Sequence, residues 1–185
     1  MKKITILVIL LSVFIFQSFG QKYMTRNGYV RFFSATPVEN IEATNNQATC
    51  IVDTQTGEVV SKVLMKSFVF DKALMQEHFN ENYVESDKYP QAVFKATIKN
   101  LSEIDAQKSE KQNVILDSEM TIHGVSKKME IKGIIEKSDG QWLAQSTFII
   151  KPSDYDIKIP KVVEKNIAGE IEVTLKFKFE LMKTN

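Results

Sequence analysis

After residue 25 the chain alternates between apolar and polar residues along most of its length. In the run IEVTLKFKFEL, six apolar side chains from Ile171 to Leu181 share one parity, and charged or hydroxyl side chains occupy the other. A period of two predicts a strand with one face buried and the other in water. The runs QAVFKATIK, NVILDSEMTIHG and KKMEIKGII show the same pattern. Weaker alternation covers 26–34, 39–53, 58–70 and 141–150.

Turn signals separate these runs. TQTGE at 54–58 and KSDGQ at 137–141 are typical of hairpin loops, and HGVSK at 123–127 is another tight connection in which Gly124 can take a positive φ. No helical pattern is long enough for a parallel crossover, so the sheet is expected to be antiparallel. The sequence therefore predicts an all-β protein of about eight strands, arranged as an up-and-down antiparallel β-barrel, with a two-sheet sandwich as the alternative.

Two segments interrupt the alternation. KALMQEHFN predicts a short helix, Asp71–Asn80, with Asp71 as its cap and with Leu74 and His78 on one side. The polar stretch that follows ends at Pro90, and the segment as a whole is expected to act as a helical lid over one end of the barrel. The second segment, 151–170, contains two prolines and several charges and is expected to form an edge flap or a rim loop.

The N-terminus predicts export. MKKITILVILLSVFIFQSFGQ places two lysines before an apolar run and small residues after it, which is the layout of a signal peptide spanning 1–20. A buried strand or an uncleaved anchor is the alternative. The mature domain is then 21–185, in the periplasm or secreted, with no integral membrane span after cleavage. Its single cysteine, Cys50, allows no internal disulfide and is interpreted as a small buried hydrophobe.

Catalytic and metal-binding patterns are not found in the sequence. His78 and His123 lie far apart without the close ligand spacing of a metal site. Serines do not occur in a nucleophile elbow, and no glycine-rich loop precedes a helix. A net charge of +1 with interspersed signs gives no footprint for nucleic acid. We therefore expect a protein that is not an enzyme and that needs neither metal nor cofactor.

An excess of apolar side chains of one parity leaves two interpretations open. A barrel of about eight strands is wide enough either to fill itself with side chains or to hold one small ligand. The sequence pattern alone does not choose between a filled core and a ligand cavity.

Three motifs resemble the YceI-like family of lipocalin-like barrels. They are the helical LMQEHFNENYVESDKYP followed by AVFKA, then MTIHGVSKKMEIKG, then FIIKPSDYDI, in that order along the chain. The sequence departs from the family pattern at Lys151, where an arginine is usual, and in polar first strands. The resemblance implies a secreted or periplasmic protein that binds polyisoprenoids or related amphiphiles and is not an enzyme. The alternatives to this function are a stress-response or structural barrel with a filled core and an enzyme acting on a small amphiphile.

The inward parity of the strands, taken with the resemblance, predicts a site inside the barrel and under its lid. The expected ligand is a polyisoprenoid, an isoprenoid quinone or a fatty amphiphile, and a homodimer is compatible with the sequence. The predicted interior residues are Phe94, Ile98, Leu116, Met120, Ile131, Trp142, Phe148, Leu175, Phe177 and Phe179. The predicted lid or rim residues are Leu74, His78, Phe79, Tyr83 and Tyr155.

Overall fold

Eight antiparallel strands close into a barrel in the computed structural model, which describes residues 21–183. Closure arises because β1 pairs with both β2 and β9. A two-residue strand, β4, pairs with the first half of β2 alongside β3. The strands are β1 (Lys22–Ala35), β2 (Asn40–Asp53), β3 (Glu58–Leu64), β4 (Val69–Phe70), β5 (Gln91–Ile98), β6 (Gln112–Ile122), β7 (Val125–Ser138), β8 (Gln141–Ile150) and β9 (Ile171–Leu181).

The barrel prediction is confirmed, and the sandwich alternative is wrong. Around the ring the strands follow the order β1, β9, β8, β7, β6, β5, β3, β2. All neighbours are antiparallel, as expected from connections without long helices. Closure removes the free edges that an open sheet of this size would expose.

Left-handed backbone at the hairpins explains the turn signals. His123 and Gly124 have φ values of 52° and 77°, and Asp139 and Gly140 have 50° and 77°. Two consecutive positive φ values are typical of the two-residue turns that match the twist of the flanking strands. These turns fix the register of β6 against β7 and of β7 against β8.

Alternation correctly predicts which side chains of β9 face inward, except at its end. Ile171, Val173, Phe177 and Phe179 are buried, while the lysines between them are exposed. Leu181 shares their parity but is 52% exposed, because the strand there reaches the end of the barrel.

The helix and one strand differ from the prediction. The helix α1 (Ala73–His78) begins after Lys72, and the Asp71 cap is wrong because the cap position, Lys72, makes no side-chain bond. Helical structure continues beyond His78 through a π-helical turn, Phe79–Tyr83. The helical segment therefore does not end at Asn80, as the sequence predicted. The strand expected across 58–70 breaks at a 3-10 turn, Met65–Ser67, before β4 resumes the extended conformation.

Both irregular segments lie at the same end of the barrel, which we call the lid end. Since the strands alternate in direction, the connections β1–β2, β3–β5, β6–β7 and β8–β9 all lie there. Residues 65–90, which contain β4 and α1, form the first flap, and residues 151–170 form the second flap. Short hairpins and long flaps therefore alternate around this end. The opposite end, the base end, carries the start of β1, the end of β9 and three polar connections.

The signal peptide prediction lies outside the described residues. Within residues 21–183, no helix is both long enough and apolar enough to cross a membrane.

Candidate ligand cavity

The barrel encloses a cavity of about 870 Å³ that runs between its two ends. Its wall is almost entirely apolar, and it falls within the range of about 300–1,000 Å³ that ligand pockets occupy. The inward side chains of the strands form the wall, so the period of two that buries one sheet face also builds the cavity. The interior is therefore not filled by side chains.

All of the predicted interior residues lie in the cavity wall. Trp142 faces Phe179 across the β8–β9 pair, and Phe94 faces Met120 across the β5–β6 pair. Ile131 is 2% exposed and belongs to a smaller cluster with Met120 and Tyr155. Their contact with a ligand stays a prediction. The ten are Phe94, Ile98, Leu116, Met120, Ile131, Trp142, Phe148, Leu175, Phe177 and Phe179.

The position of the Phe177 ring depends on a glycine in the neighbouring strand. A Cβ atom built at Gly28 would lie 2.6 Å from two carbons of that ring and 3.0 Å from the carbonyl oxygen of Ala48. The β1 register shifts on both sides of Gly28, which marks a bulge in the strand. Gly28 therefore provides the space that keeps Phe177 against the wall.

Four phenylalanines form an aromatic cluster at the lid end. Phe79 in the first flap lies 5.1 to 5.7 Å, centroid to centroid, from Phe32, Phe68 and Phe70. All four line the cavity, and the ring separations are those of favourable aromatic pairs. The sequence prediction missed Phe32, Phe68 and Phe70. Parity was the signal that could have found them: Phe32 has the parity of Val30 in β1, and Phe68 and Phe70 share a parity with each other.

The predicted lid residues all border the cavity. Leu74, His78, Phe79 and Tyr83 reach it from the first flap, and Tyr155 reaches it from the second. Tyr155 is only 1% exposed, so it belongs to the buried wall rather than to an open rim. Burial raises the pKa of its phenol.

Glu39, in the β1–β2 hairpin, bonds to both flaps. Lys72 Nζ of the first flap lies 2.7 Å from its Oε1, and Asn166 Nδ2 of the second flap donates to its Oε2 at 3.4 Å. These bonds, with Lys72 contributing most, hold the pKa of the Glu39 carboxyl below its usual value. The second flap is also anchored by the backbone N–H of Ala168, which donates to Ser34 Oγ at 2.8 Å.

His123, in the β6–β7 hairpin, makes the equivalent contacts on the opposite side. Its Nδ1 donates to the Tyr155 carbonyl oxygen of the second flap at 3.1 Å, and its Nε2 lies 2.6 Å from Glu85 Oε2 of the first flap. Its ring lies 4.6 Å, centroid to centroid, from that of Tyr89, and the two ring planes are inclined by 67°. The hydrogen bond to His123 lowers the pKa of Glu85. His123 thus sits at the end of β6, hydrogen-bonded to the carbonyl oxygen of a loop residue.

The β5–β6 connection contributes to the cavity wall at the base end. Leu101, Ile104 and Ala106 of this loop line the cavity, and Leu101 packs against Gly57 of the β2–β3 hairpin. The sequence prediction missed these residues because a polar loop gives no periodic signal.

Cys50 also faces the cavity. It is 2% exposed, as the sequence predicted, and burial raises its thiol pKa to about 12. The thiolate is the reactive form of cysteine, so this side chain acts as an apolar wall residue at neutral pH. Across residues 21–183, no group of three His, Cys, Asp or Glu side chains is placed to hold a metal ion.

Comparison with known proteins points to one family. The family model described as YceI-like domain matches residues 21–179. No curated protein sequence matches the chain.

Solved structures share the fold at low sequence identity. A polyisoprenoid binding domain from Saccharophagus degradans, implicated in plant cell wall breakdown, superposes with a TM-score of 0.77 at 13% identity, covering 88% of this chain and 99% of that one. Burkholderia cenocepacia BcnA gives a TM-score of 0.67 at 14% identity, covering 83% and 96%. A Campylobacter jejuni YCEI protein gives 0.57 at 16% identity, covering 75% and 81%. These likenesses show the fold.

Proposed function

Because this chain belongs to the YceI-like domain family, we propose that it is a binding protein that holds the apolar tail of a polyisoprenoid or similar amphiphile inside its barrel. The observation that carries the proposal is the apolar cavity of about 870 Å³. The polyisoprenoid binding domain that shares the fold supports this class of ligand.

Burial of hydrocarbon supplies the binding free energy. Each methylene group moved from water into the cavity contributes about 0.8 kcal/mol, so a tail of ten or more carbons contributes several kcal/mol. A cavity formed before the ligand arrives reduces the ordering cost on the protein side. Such a site needs few hydrogen bonds to the tail, which fits a wall made of aliphatic and aromatic side chains.

The polar head group is proposed to lie at the lid end. Lys72, His78 and Asn166 line the cavity there, and Lys72 is paired with Glu39. The charges of this pair compensate each other, which favours an uncharged head such as a quinone or an alcohol over a polyphosphate. The base end presents apolar loop residues to the cavity instead.

The proposal includes export to the periplasm or to the exterior. It is supported by the signal peptide layout of residues 1–20. A structural barrel with a filled core is disfavoured because side chains leave a cavity inside this barrel. An empty cavity of this size would cost stability, so a ligand is expected to occupy it.

Extraction of the purified protein with organic solvent, followed by mass spectrometry, tests the proposal. We expect an amphiphile with a long apolar tail, close to one molecule per chain. Mild delipidation followed by titration with a ubiquinone or a polyprenol should restore occupancy. A protein that carries no amphiphile and takes up neither probe would contradict the proposal.

A further inference from the structure

The apolar side chains that are most exposed to solvent are concentrated at the lid end. Val38, Val69, Leu74 and Val162 are 61%, 63%, 60% and 89% exposed, whereas no other large apolar side chain of residues 21–183 exceeds 52%. We call these four residues the apolar rim. Single exposed aliphatic residues are ordinary on a protein surface, but the confinement of the most exposed ones to one end is not.

Contacts at Glu39 bring three segments of the apolar rim together. Val38 precedes Glu39 in its hairpin, Leu74 follows Lys72 by two residues, and Val162 lies in the same flap as Asn166. Lys72 and Asn166 both bond to Glu39. The β1–β2 hairpin and the two flaps therefore present their exposed aliphatic side chains around one side of the lid end.

The apolar rim is continuous with the cavity. Leu74 belongs both to the rim and to the cavity wall, and Val163, which follows the exposed Val162, also lines the cavity. An apolar tail leaving a hydrocarbon phase at this end would thus meet apolar side chains from the surface to the interior. The base-end connections carry no comparably exposed aliphatic residues among those the structure describes.

From this placement we propose that the lid end docks on the surface of a lipid bilayer, with the apolar rim inserted at the interface. This inference rests on the proposed function, because a carrier of water-insoluble amphiphiles must exchange them with a membrane. Four side chains from three separate segments around the lid end fit a fluid surface better than the flat face of a protein partner. Lys161 and Lys165 are interspersed with Asp71 and Glu164, so the attraction does not need an anionic lipid.

Site-specific labelling of the full chain tests which end meets the lipid. Cys50 is buried with a raised thiol pKa, so a cysteine introduced at Val162→Cys can be labelled selectively with an environment-sensitive fluorophore. Gln55→Cys, in the exposed β2–β3 hairpin, places the same probe at the base end. With phosphatidylcholine vesicles we expect a blue shift and quenching by doxyl-labelled lipid for the Val162 probe, but not for the Gln55 probe. Quenching of neither probe, or of the Gln55 probe alone, would overturn the proposal.

A matched pair of triple variants tests the side chains. The rim variant, Val38→Ser/Val69→Ser/Val162→Ser, replaces three rim residues that do not line the cavity. The wall variant, Ile51→Ser/Val60→Ser/Ile134→Ser, replaces three moderately exposed apolar residues of the barrel strands that do not line the cavity either. We expect the rim variant to weaken vesicle partitioning by about tenfold or more and the wall variant to change it less than about twofold. Equal losses in two folded variants would overturn the proposal.

Further readouts separate docking from carriage and from self-association. Bound amphiphile, measured by solvent extraction, should be unchanged in the rim variant because its substitutions lie outside the cavity. Lipid retention without quenching of the Val162 probe would refute docking and leave the proposed function standing. Quenching of that probe in a protein that binds no amphiphile would refute the proposed function and leave docking standing. Self-association that the rim variant abolishes, without quenching, would assign the rim to a second copy of the chain and overturn the proposal.

Discussion

Glu39 and His123 lie on opposite hairpins of the lid end, and each bonds to both flaps. In the ring of strands, the β1–β2 hairpin is separated from the β6–β7 hairpin by two strands on either side. Glu39 joins Lys72 to Asn166, and His123 joins Glu85 to the Tyr155 carbonyl. The flaps are thus held at two opposed points, and a ligand that enters at the lid end passes between them.

Loss of the His123 bridge should loosen both flaps without unfolding the barrel. We expect His123→Asn to raise amide hydrogen exchange in 79–89 and 152–158 by about tenfold, since a net hydrogen bond contributes about 0.5–1.5 kcal/mol. Asparagine tolerates the positive φ of this turn, so the effect reports the lost bonds. Exchange measured by mass spectrometry should show β9 unchanged, and a uniform increase across the barrel would contradict this prediction.

Acid should release the flaps before it unfolds the barrel. Glu39 and Glu85 have pKa values below the usual 4.5 because the hydrogen bonds of Glu39 to Lys72 and of Glu85 to His123 favour the carboxylate. A lowered folded-state pKa contributes stability that is present above the unfolded-state pKa and is lost as pH falls through the folded-state value. Flap protection, followed by hydrogen exchange, should therefore hold at neutral pH and fall below about pH 4.5.

A variant pair checks the assignment of this transition. Glu39→Gln should weaken protection at neutral pH and flatten its acid dependence. Glu77→Gln, at an exposed carboxylate of the first flap, should behave like the unmodified protein. An identical acid transition in all three proteins would show that other groups control it.

Gly28→Ala should reduce ligand capacity by moving Phe177. The added Cβ would lie 2.6 Å from the ring, so the ring must shift toward the cavity. Overpacking of this kind costs about 1–3 kcal/mol of stability. We expect less bound amphiphile per folded chain by extraction and mass spectrometry. Gly169→Ala has no neighbour within 4 Å of its Cβ and should leave both quantities unchanged.

Adjacent residues of β9 separate the cavity from the outer surface. Phe179→Leu replaces an aromatic ring of the cavity wall, 6% exposed, with a smaller side chain. It should lower amphiphile retention while the barrel stays folded. Lys178→Ala, one residue away on the outward face, should alter neither stability nor retention. Equal loss of amphiphile from the two folded variants would refute an interior site.

Cys50 should be silent to thiol reagents in the folded protein. With a thiol pKa of about 12 and 2% exposure, it should not react with a water-soluble disulfide reagent at pH 8 over an hour. Reaction should become rapid in denaturant, where the thiol returns to a pKa of about 8.5. Stoichiometric labelling of the native chain would show that the cavity wall opens far more readily than the structure indicates.

Periodicity predicts the strands and the interior wall because a closed sheet sorts side chains by parity alone. Phe94 and Phe177 are found in this way, and the hairpin at His123 and Gly124 follows from its turn residues. Flap contacts are different, because the Glu85–His123 pair spans 38 residues and depends on how four connections meet at one end. The Asp71 cap fails for a local reason, since the helix begins one residue later than the carboxylate would require.

Both chain ends of the described domain lie at the base end, where the backbone N–H of Met182 donates to the Lys22 carbonyl oxygen at 2.7 Å. A tether, affinity tag or partner domain fused at either end of this domain would therefore be held at the base end, away from the flaps. Protein immobilised through either end on a sensor surface would present the lid end to solution in a common orientation. Ligand exchange at that end could then be followed without obstruction by the attachment.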